Sequence, residues 1–288
     1  MDVAAVLDWA AGRRDDLPWR HTREPWPVLV SESMLQQTQV SRVVPRWHRF
    51  LERFPTPSAC ADAPVADVID EWAGLGYNRR AVNLHRCAVA VRDVHGGLVP
   101  DDLPALLALP GLGPYTARAV LAFAFERDVA VVDTNVGRVL ARQTGERLTP
   151  SVAQRLADDL VPVGSAWSWN QAMLDLGALV CTKRSPRCTE CPVRSTCAWS
   201  SGGGDDPAIG SAGVGKVQST FEGSFRQGRA RLLDALRLGG SIAPDQWVVA
   251  CGWSERVGGV RDAERAASTL VEDGLAVVGA DGSLSLPR

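Results

Sequence analysis

Leu109-Pro110-Gly111-Leu112-Gly113-Pro114-Tyr115-Thr116-Ala117 is the stretch on which the fold of this chain turns. Before it, LPALLAL carries apolar residues at helical spacing; after it, YTARAVLAFAF does the same. Two helices are therefore joined by a short glycine turn. Gly111 and Gly113 permit a tight turn with positive φ, and the helix that follows opens with unpaired N–H groups suited to a phosphate oxygen. A bare glycine turn between packed helices is the plainer reading of the same residues.

Outward from this hairpin, apolar residues recur at helical spacing from Val3 to Trp199, as in VSRVVPRWHRFLERF, PVADVIDEWAGL, NVGRVLARQ and WNQAMLDLGALVC. Strand-like alternation is nearly missing there, which predicts a mainly α fold for residues 1–199. Residues 200–215, SSGGGDDPAIGSAGVG, offer almost no bulky apolar side chain and read as a linker. Beyond it, RARLLDALRLG, PDQWVVACGW and RDAERAASTLVEDG are helical in pattern, and LAVVGADGSLSLP reads as a hairpin turning at Ala280-Asp281-Gly282. Residues 216–288 are thus expected to form a small α/β, winged-helix-like module.

With 288 residues, 45% of them hydrophobic, the chain is long enough for two or three compact units. Its formal charge is -2, with 22 basic and 22 acidic side chains in residues 1–200 and 9 and 11 in the rest. No broad basic footprint marks a nucleic-acid binder, so any grip on DNA must come from local patches and backbone amides. No apolar run of about 18 residues or more is present, and the amino terminus lacks the pattern of a secretory leader. A cytoplasmic protein with no membrane partner is expected.

Seven cysteines are present; Cys181, Cys188, Cys191 and Cys197 fall within 17 residues, while Cys60, Cys87 and Cys251 are scattered. The spacing Cys181-x6-Cys188-x2-Cys191-x5-Cys197 places four soft thiolates where they could wrap one metal centre, either zinc or an iron-sulfur cluster. The scattered three read as small apolar residues. Lys183, Arg184, Arg187 and Arg194 against Glu190 give this loop a local charge of 4 - 1 = +3 before the thiolates are counted. Those cations could meet phosphates or simply offset the thiolates.

Two carboxyl groups stand out. In VVDTNVGRVLAR, Asp133 precedes a helix starting near Thr134, where an aspartate serves as a cap or, ionised by the helix terminus, faces a developing cation. In LVSESMLQQTQV, Glu32 lies within an apolar helix that also bears Gln36 and Gln37. Partial burial there would raise its pKa toward that of a general acid near neutral pH; a solvated outer-face Glu is the alternative.

Together and in this order, the four motifs resemble those of the helix-hairpin-helix DNA glycosylase superfamily with a 4Fe-4S cluster. The likeness covers roughly residues 1–199 and is greatest to the adenine glycosylases that act on adenine opposite 8-oxoguanine or guanine. The resemblance implies a helix-hairpin-helix glycosylase fold with an iron-sulfur loop, held by Cys181, Cys188, Cys191 and Cys197. It implies that Glu32 protonates the departing base and helps activate water, that Asp133 steadies the oxocarbenium-like sugar, and that Tyr115 and Asn135 support them. Relatives that also cut the strand carry a lysine in the hairpin, as a Schiff-base nucleophile. Tyr115 stands there in this chain, which implies base excision without an efficient lyase step. By the same carry-over, Gln36, Gln37 and Tyr77 sit at the DNA stack, Gly111 and Gly113 form the phosphate-binding hairpin, Gln171 bonds the extruded base, and Trp19 and Arg20 line its pocket. The implied partner is double-stranded DNA with a mismatched or damaged base, bound by a monomer. Two features depart from the family pattern. Asn78 replaces the second aromatic of its GYY, and the C-terminal module does not look like the NUDIX-related domain with which many members recognise 8-oxoguanine.

Two other functions fit parts of the sequence. A mismatch glycosylase for thymine or another damaged base opposite guanine would use the same acids. A non-catalytic DNA-binding protein would account for the winged-helix-like tail but leaves Glu32 and Asp133 without a purpose.

Overall fold

The computed structural model describes residues 1–13, 16–211, 220–254 and 256–288. In chain order the helices are α1 (Val3–Ala10), α2 (Pro25–Leu35), α3 (Val40–Arg53), α4 (Pro57–Asp62), α5 (Val65–Glu71), α6 (Arg79–His95), α7 (Leu103–Ala108) and α8 (Pro114–Phe123). They continue with α9 (Thr134–Thr144), α10 (Pro150–Asp158), α11 (Ala166–Asp175), α12 (Ala198–Gly202), α13 (Phe225–Gly239), α14 (Trp247–Ala250) and α15 (Gly259–Glu272). Three short strands, β1 (Ser241–Ile242), β2 (Val277–Val278) and β3 (Leu284–Ser285), form one antiparallel sheet in the order β1-β3-β2. The mainly α expectation holds, and the predicted terminal hairpin is β2–β3, with Val278 opposite Leu284 and Gly282 at φ +79°. Helices α13, α14 and α15 and this sheet make up the α/β part of the chain beyond residue 219. Among the described residues no helix is long and apolar enough to cross a membrane.

Helix starts follow the local chemistry. Thr56 and Thr149 each cap a helix whose first residue is proline, accepting from the amides of Ala59 and Val152. Gly96 and Gly145 close α6 and α9 in the left-handed conformation.

The chain divides into two compact units that do not follow chain order. One comprises residues 1–32, 101–108 and 112–216; the other 33–100, 109–111 and 217–288. In the first, α9 is buried along its length from Val136 to Arg142 and packs with Trp169, Met173, Leu176 and Val180. Each such large side chain contributes about 1.5–3 kcal/mol on burial. In the second, Phe50 meets Trp72 edge to face, and Cys60 and Cys87 are buried as the apolar residues they were read to be. Cys251 is buried as well.

Residues 200–211 were expected to lie in a linker too polar to pack, yet they are held to the first unit. Asp206 pairs with Arg142 at 2.6 Å, Ala208 joins the core, and the Ser211 hydroxyl accepts from the Leu148 amide at 3.0 Å. One acid, one small apolar residue and one hydroxyl suffice where a buried arginine needs a counter-charge. The rest of that stretch, 212–215, and the first residues assigned to the C-terminal module, 216–219, lie outside the described residues.

Candidate active site

Helix α2 surrounds Glu32 with buried Val28, Leu29, Val30 and Met34, and leaves it 5% exposed. The solvated alternative for this residue is therefore ruled out. Tyr115, in the first turn of α8, donates its hydroxyl to the Glu32 carboxylate, while Oε2 is buried without a hydrogen-bond partner among the described residues. Burial pushes the Glu32 carboxyl from 4.5 to about 7; the Tyr115 hydrogen bond opposes the rise and the like charge of Asp133 adds to it. Burial beside the two acids holds the Tyr115 hydroxyl well above its ordinary range, so it stays a donor.

Asp133 is the N-cap of α9. Its Oδ1 accepts from the amides of Asn135 and Val136, each at 2.8 Å, and Oδ2 accepts from Asn135 Nδ2 at 2.7 Å. The sequence led us to expect a carboxyl ionised more readily than usual by the helix terminus. The structure reverses that direction: burial raises its pKa, and the cap bonds hold back only part of the rise. Three donors nevertheless satisfy the carboxylate when it is charged. Glu32, Tyr115, Asp133 and Asn135 thus come together in one unit from α2, α8 and α9.

Sequence reading missed the residues that hold this group. Arg138 donates to Asn135 Oδ1 at 2.9 Å, to the Gly177 carbonyl and to the Cys181 carbonyl, the last two at 2.6 Å. Its position one turn after Asn135 on α9 was a usable signal, since residues i and i+3 share a face. Gly177 lies in a π-helical turn, Leu176–Val180, and a Cβ there would stand 2.7 Å from Asn135 Cβ and 2.8 Å from its backbone. Asn170 ties down the segment leading to Asp133, accepting from the Val131 amide at 2.7 Å and donating to the Val129 carbonyl.

In the hairpin only Gly111 takes positive φ, +81°, and a Cβ there would meet Asn83 at 2.6 Å. Gly113, expected to share that conformation, is extended at φ -97° as the N-cap of α8, with open space where a side chain would stand. The turn needs one left-handed residue; the second glycine starts a helix.

Cys181, Cys188, Cys191 and Cys197 line one pocket together with Arg142, Val193 and Trp199. Arg142 donates to Cys181 Sγ at 3.3 Å, and Cys197 Sγ donates to the Arg142 carbonyl at 3.2 Å. Among the described residues no three His, Cys, Asp or Glu close around a point where a single metal ion would sit. The pocket is one of four gathered thiols, and that donor set fits a thiolate-held group.

In the second unit, Gln36, Gln37 and Tyr77 line a single cleft with Asn78, Arg79 and Arg80. Gln37 and Tyr77 both adopt positive φ, +56° and +47°, costly for residues bearing a side chain, and Tyr77 is 46% exposed. Arg80, also missed, donates to the carbonyls of Ser33, Met34, Leu75, Gly76 and Tyr77 and to the Thr38 hydroxyl. It fastens the Gln36–Gln37 turn to the Tyr77 loop, and burial lowers its pKa to about 10. Gln171 is half-buried on α11. Trp19 is buried, and Arg20 makes a two-pronged buried pair with Asp175 at 2.9 and 3.0 Å. Its guanidinium is held in that pair and also donates to the Arg13 carbonyl at 2.9 Å.

A glycine hairpin between two helices, a buried acid beside a capped aspartate and a four-thiol loop define a helix-hairpin-helix DNA glycosylase. The family model described as HhH-GPD superfamily base excision DNA repair protein matches residues 30–162. An adenine DNA glycosylase of Mycobacterium tuberculosis (strain ATCC 25618 / H37Rv) is 42% identical over 98% of this chain and 92% of its own length. That of Homo sapiens is 39% identical over 67% of this chain and 38% of its own. Among solved structures, a thermostable thymine-DNA glycosylase superposes with TM-score 0.65 and 31% identity over 69% of this chain and 95% of its own. An endonuclease III-DNA complex, at TM-score 0.61 and 24% identity over 69% of this chain and 94% of its own, shares the fold. The chain belongs to the HhH-GPD superfamily of base excision DNA repair proteins.

Proposed function

We propose that this enzyme removes adenine mispaired with 8-oxoguanine or guanine from double-stranded DNA, without cutting the strand. The observation that carries the reading is a buried Glu32, titrating at about 7 against Tyr115, beside Asp133 held by three N–H donors. Relatives called adenine DNA glycosylases, similar along nearly the whole chain, support adenine as the base.

In this mechanism the target nucleotide is swung out of the stack, because the glycosidic bond is inaccessible inside a duplex. Glu32, protonated, gives its proton to N7 of the adenine as the bond from C1′ to N9 breaks, and the electron pair leaves with the base. Asp133 faces the positive charge left on the deoxyribose, a division of labour like that of sugar glycosidases. Water then adds at C1′ and its proton passes to the Glu32 carboxylate, which restores the acid. Tyr115 orients that carboxyl, and Asn135, held by Arg138, orients Asp133. The only lysines, Lys183 and Lys216, lie outside the hairpin, so no amine attacks C1′ there.

Cys181, Cys188, Cys191 and Cys197 would hold a 4Fe-4S cluster, which when bound ties residues 181–197 into one rigid loop. We read residues 1–199 as the catalytic domain and residues 216–288 as the C-terminal module; of the stretch between them, 200–211 pack with residues of the catalytic domain. We take it to act as a monomer in the cytoplasm. Release of each base from A·8-oxoguanine, A·G and T·G duplexes tests the assignment. The likeness to a thymine-DNA glycosylase favours thymine as the second reading; thymine release without adenine release would establish it and overturn ours. Base release unchanged in Asp133→Asn would refute the mechanism.

A further inference from the structure

The loop bearing Tyr77 is gripped from two sides within the second unit. Between Trp72, the C-cap of α5, and Asn78, the N-cap of α6, Gly74, Gly76 and Tyr77 all adopt positive φ. Arg80 collects the carbonyls of Leu75, Gly76 and Tyr77 from one side. On the other, Arg237 of α13, in the C-terminal module, donates through Nη2 to the Ile69 carbonyl at 2.9 Å and to Asn78 Oδ1 at 3.0 Å. Those two acceptors bracket the loop. The Arg237 side chain is 9% exposed, is steadied by Asp234 at 2.6 Å, and stands 3.9 Å from Asp70. A second link joins α15 to the start of α6, where Asp273 holds Arg229 and meets Arg79 at 3.4 Å.

A tyrosine kept in a left-handed conformation persists only where its surroundings over-determine it. The contacts from Arg237 supply that determination at Asn78, the residue that follows Tyr77. Asn78 is also a position where this sequence lacks the second aromatic of its family's pattern; here its amide oxygen receives the arginine of the C-terminal module. We propose that the C-terminal module is a brace for the Tyr77 loop, with Arg237 as a positioning residue acting through Asn78 on the step that unstacks the target base. The proposal rests on the base-excision reading above, since it concerns the step that unstacks the target base; its fluorescence arm does not depend on which base is released.

The test compares wild type with N78L, which removes the acceptor, N78D, which keeps one, R237M and the double variant N78L/R237M. 2-Aminopurine placed beside the mispair reports unstacking by its fluorescence. The brace predicts a smaller fluorescence rise for N78L and R237M, and adenine release from A·8-oxoguanine slower by about 10- to 100-fold. The double variant should lose no more than the worse single one, since the Arg237–Asn78 bond is broken by either change. N78D should retain the fluorescence rise of wild type. With the adenine in a single-stranded oligonucleotide, where extrusion costs least, all variants should release the base at rates within about 3-fold of one another. Equal losses on both substrates would show a general folding effect and overturn the brace, as would additive losses or an unaffected N78L. A wild type that releases no adenine from either substrate would overturn the adenine assignment instead, and the fluorescence series would still decide the brace.

Discussion

Replacing Glu32 by Gln keeps the size of the side chain and its ability to accept from Tyr115, but removes its ionisation. In the folded protein this carboxyl titrates at about 7 and ordinarily at 4.5. Between those values the folded state holds a proton that the unfolded chain has released, so stability falls as pH rises through the window. At about 1.4 kcal/mol per pH unit the loss amounts to about 3 kcal/mol, complete a little above pH 7 and absent below pH 4.5. Glu32→Gln should therefore match wild type in urea unfolding near pH 4.5 and exceed it by about 3 kcal/mol at pH 8. The same variant should release adenine about 100- to 10,000-fold more slowly, the usual worth of a positioned general acid. In wild type, single-turnover release should decline above pH 7 as the acid loses its proton. A stability gain that stays constant from pH 4.5 to pH 8 would refute the claim that burial, and not merely the shape of the site, governs this carboxyl.

Arg20→Met removes the arginine that pairs with buried Asp175 and should cost about 3–5 kcal/mol in chemical denaturation, with much of it regained when Asp175→Leu is added. Gly177→Ala forces a methyl against the Asn135 backbone; a loss of about 1–3 kcal/mol with a larger fall in base release than in duplex affinity is expected, measured by unfolding and single-turnover assays. Cys188→Ser should lower the iron content and visible absorbance of the purified protein, and intact iron and colour in that variant would remove the cysteine from the proposed ligand set.

What the sequence disclosed and what it withheld divide along physical lines. The hairpin at 109–117, the Asp133 cap and the β2–β3 turn were legible because each is fixed by its own few residues: a left-handed glycine, a short acidic side chain, a Gly at a tight corner. Burial of Glu32 was only half legible, because the apolar residues around it on α2 allowed a solvated outer-face position equally well and packing decided between the two. Arg20 was not, because its partner Asp175 lies 155 residues away and only the folded chain brings the two together. Arg80 and Arg138 escaped for a related reason. Both are satisfied chiefly by backbone carbonyls, and a carbonyl has no letter in the sequence. The direction of the Asp133 titration was misjudged since a cap is local, whereas desolvation sums over the whole packed neighbourhood. Composition alone misled at 200–211, where a few polar contacts replaced the apolar bulk a core usually needs.

Arg80 carries a broader implication. Its donors go to main-chain oxygens and one hydroxyl, and among the described residues no carboxylate neutralises it. With a pKa of about 10 it remains cationic at neutral pH, a fixed positive point beside an exposed ring in a chain whose formal charge is -2. A protein so furnished attracts a polyanion through a few anchored charges in place of a diffuse cationic coat. A duplex bound through few such charges would displace few counterions, and a shallow dependence of affinity on ionic strength is the outcome expected of a salt titration.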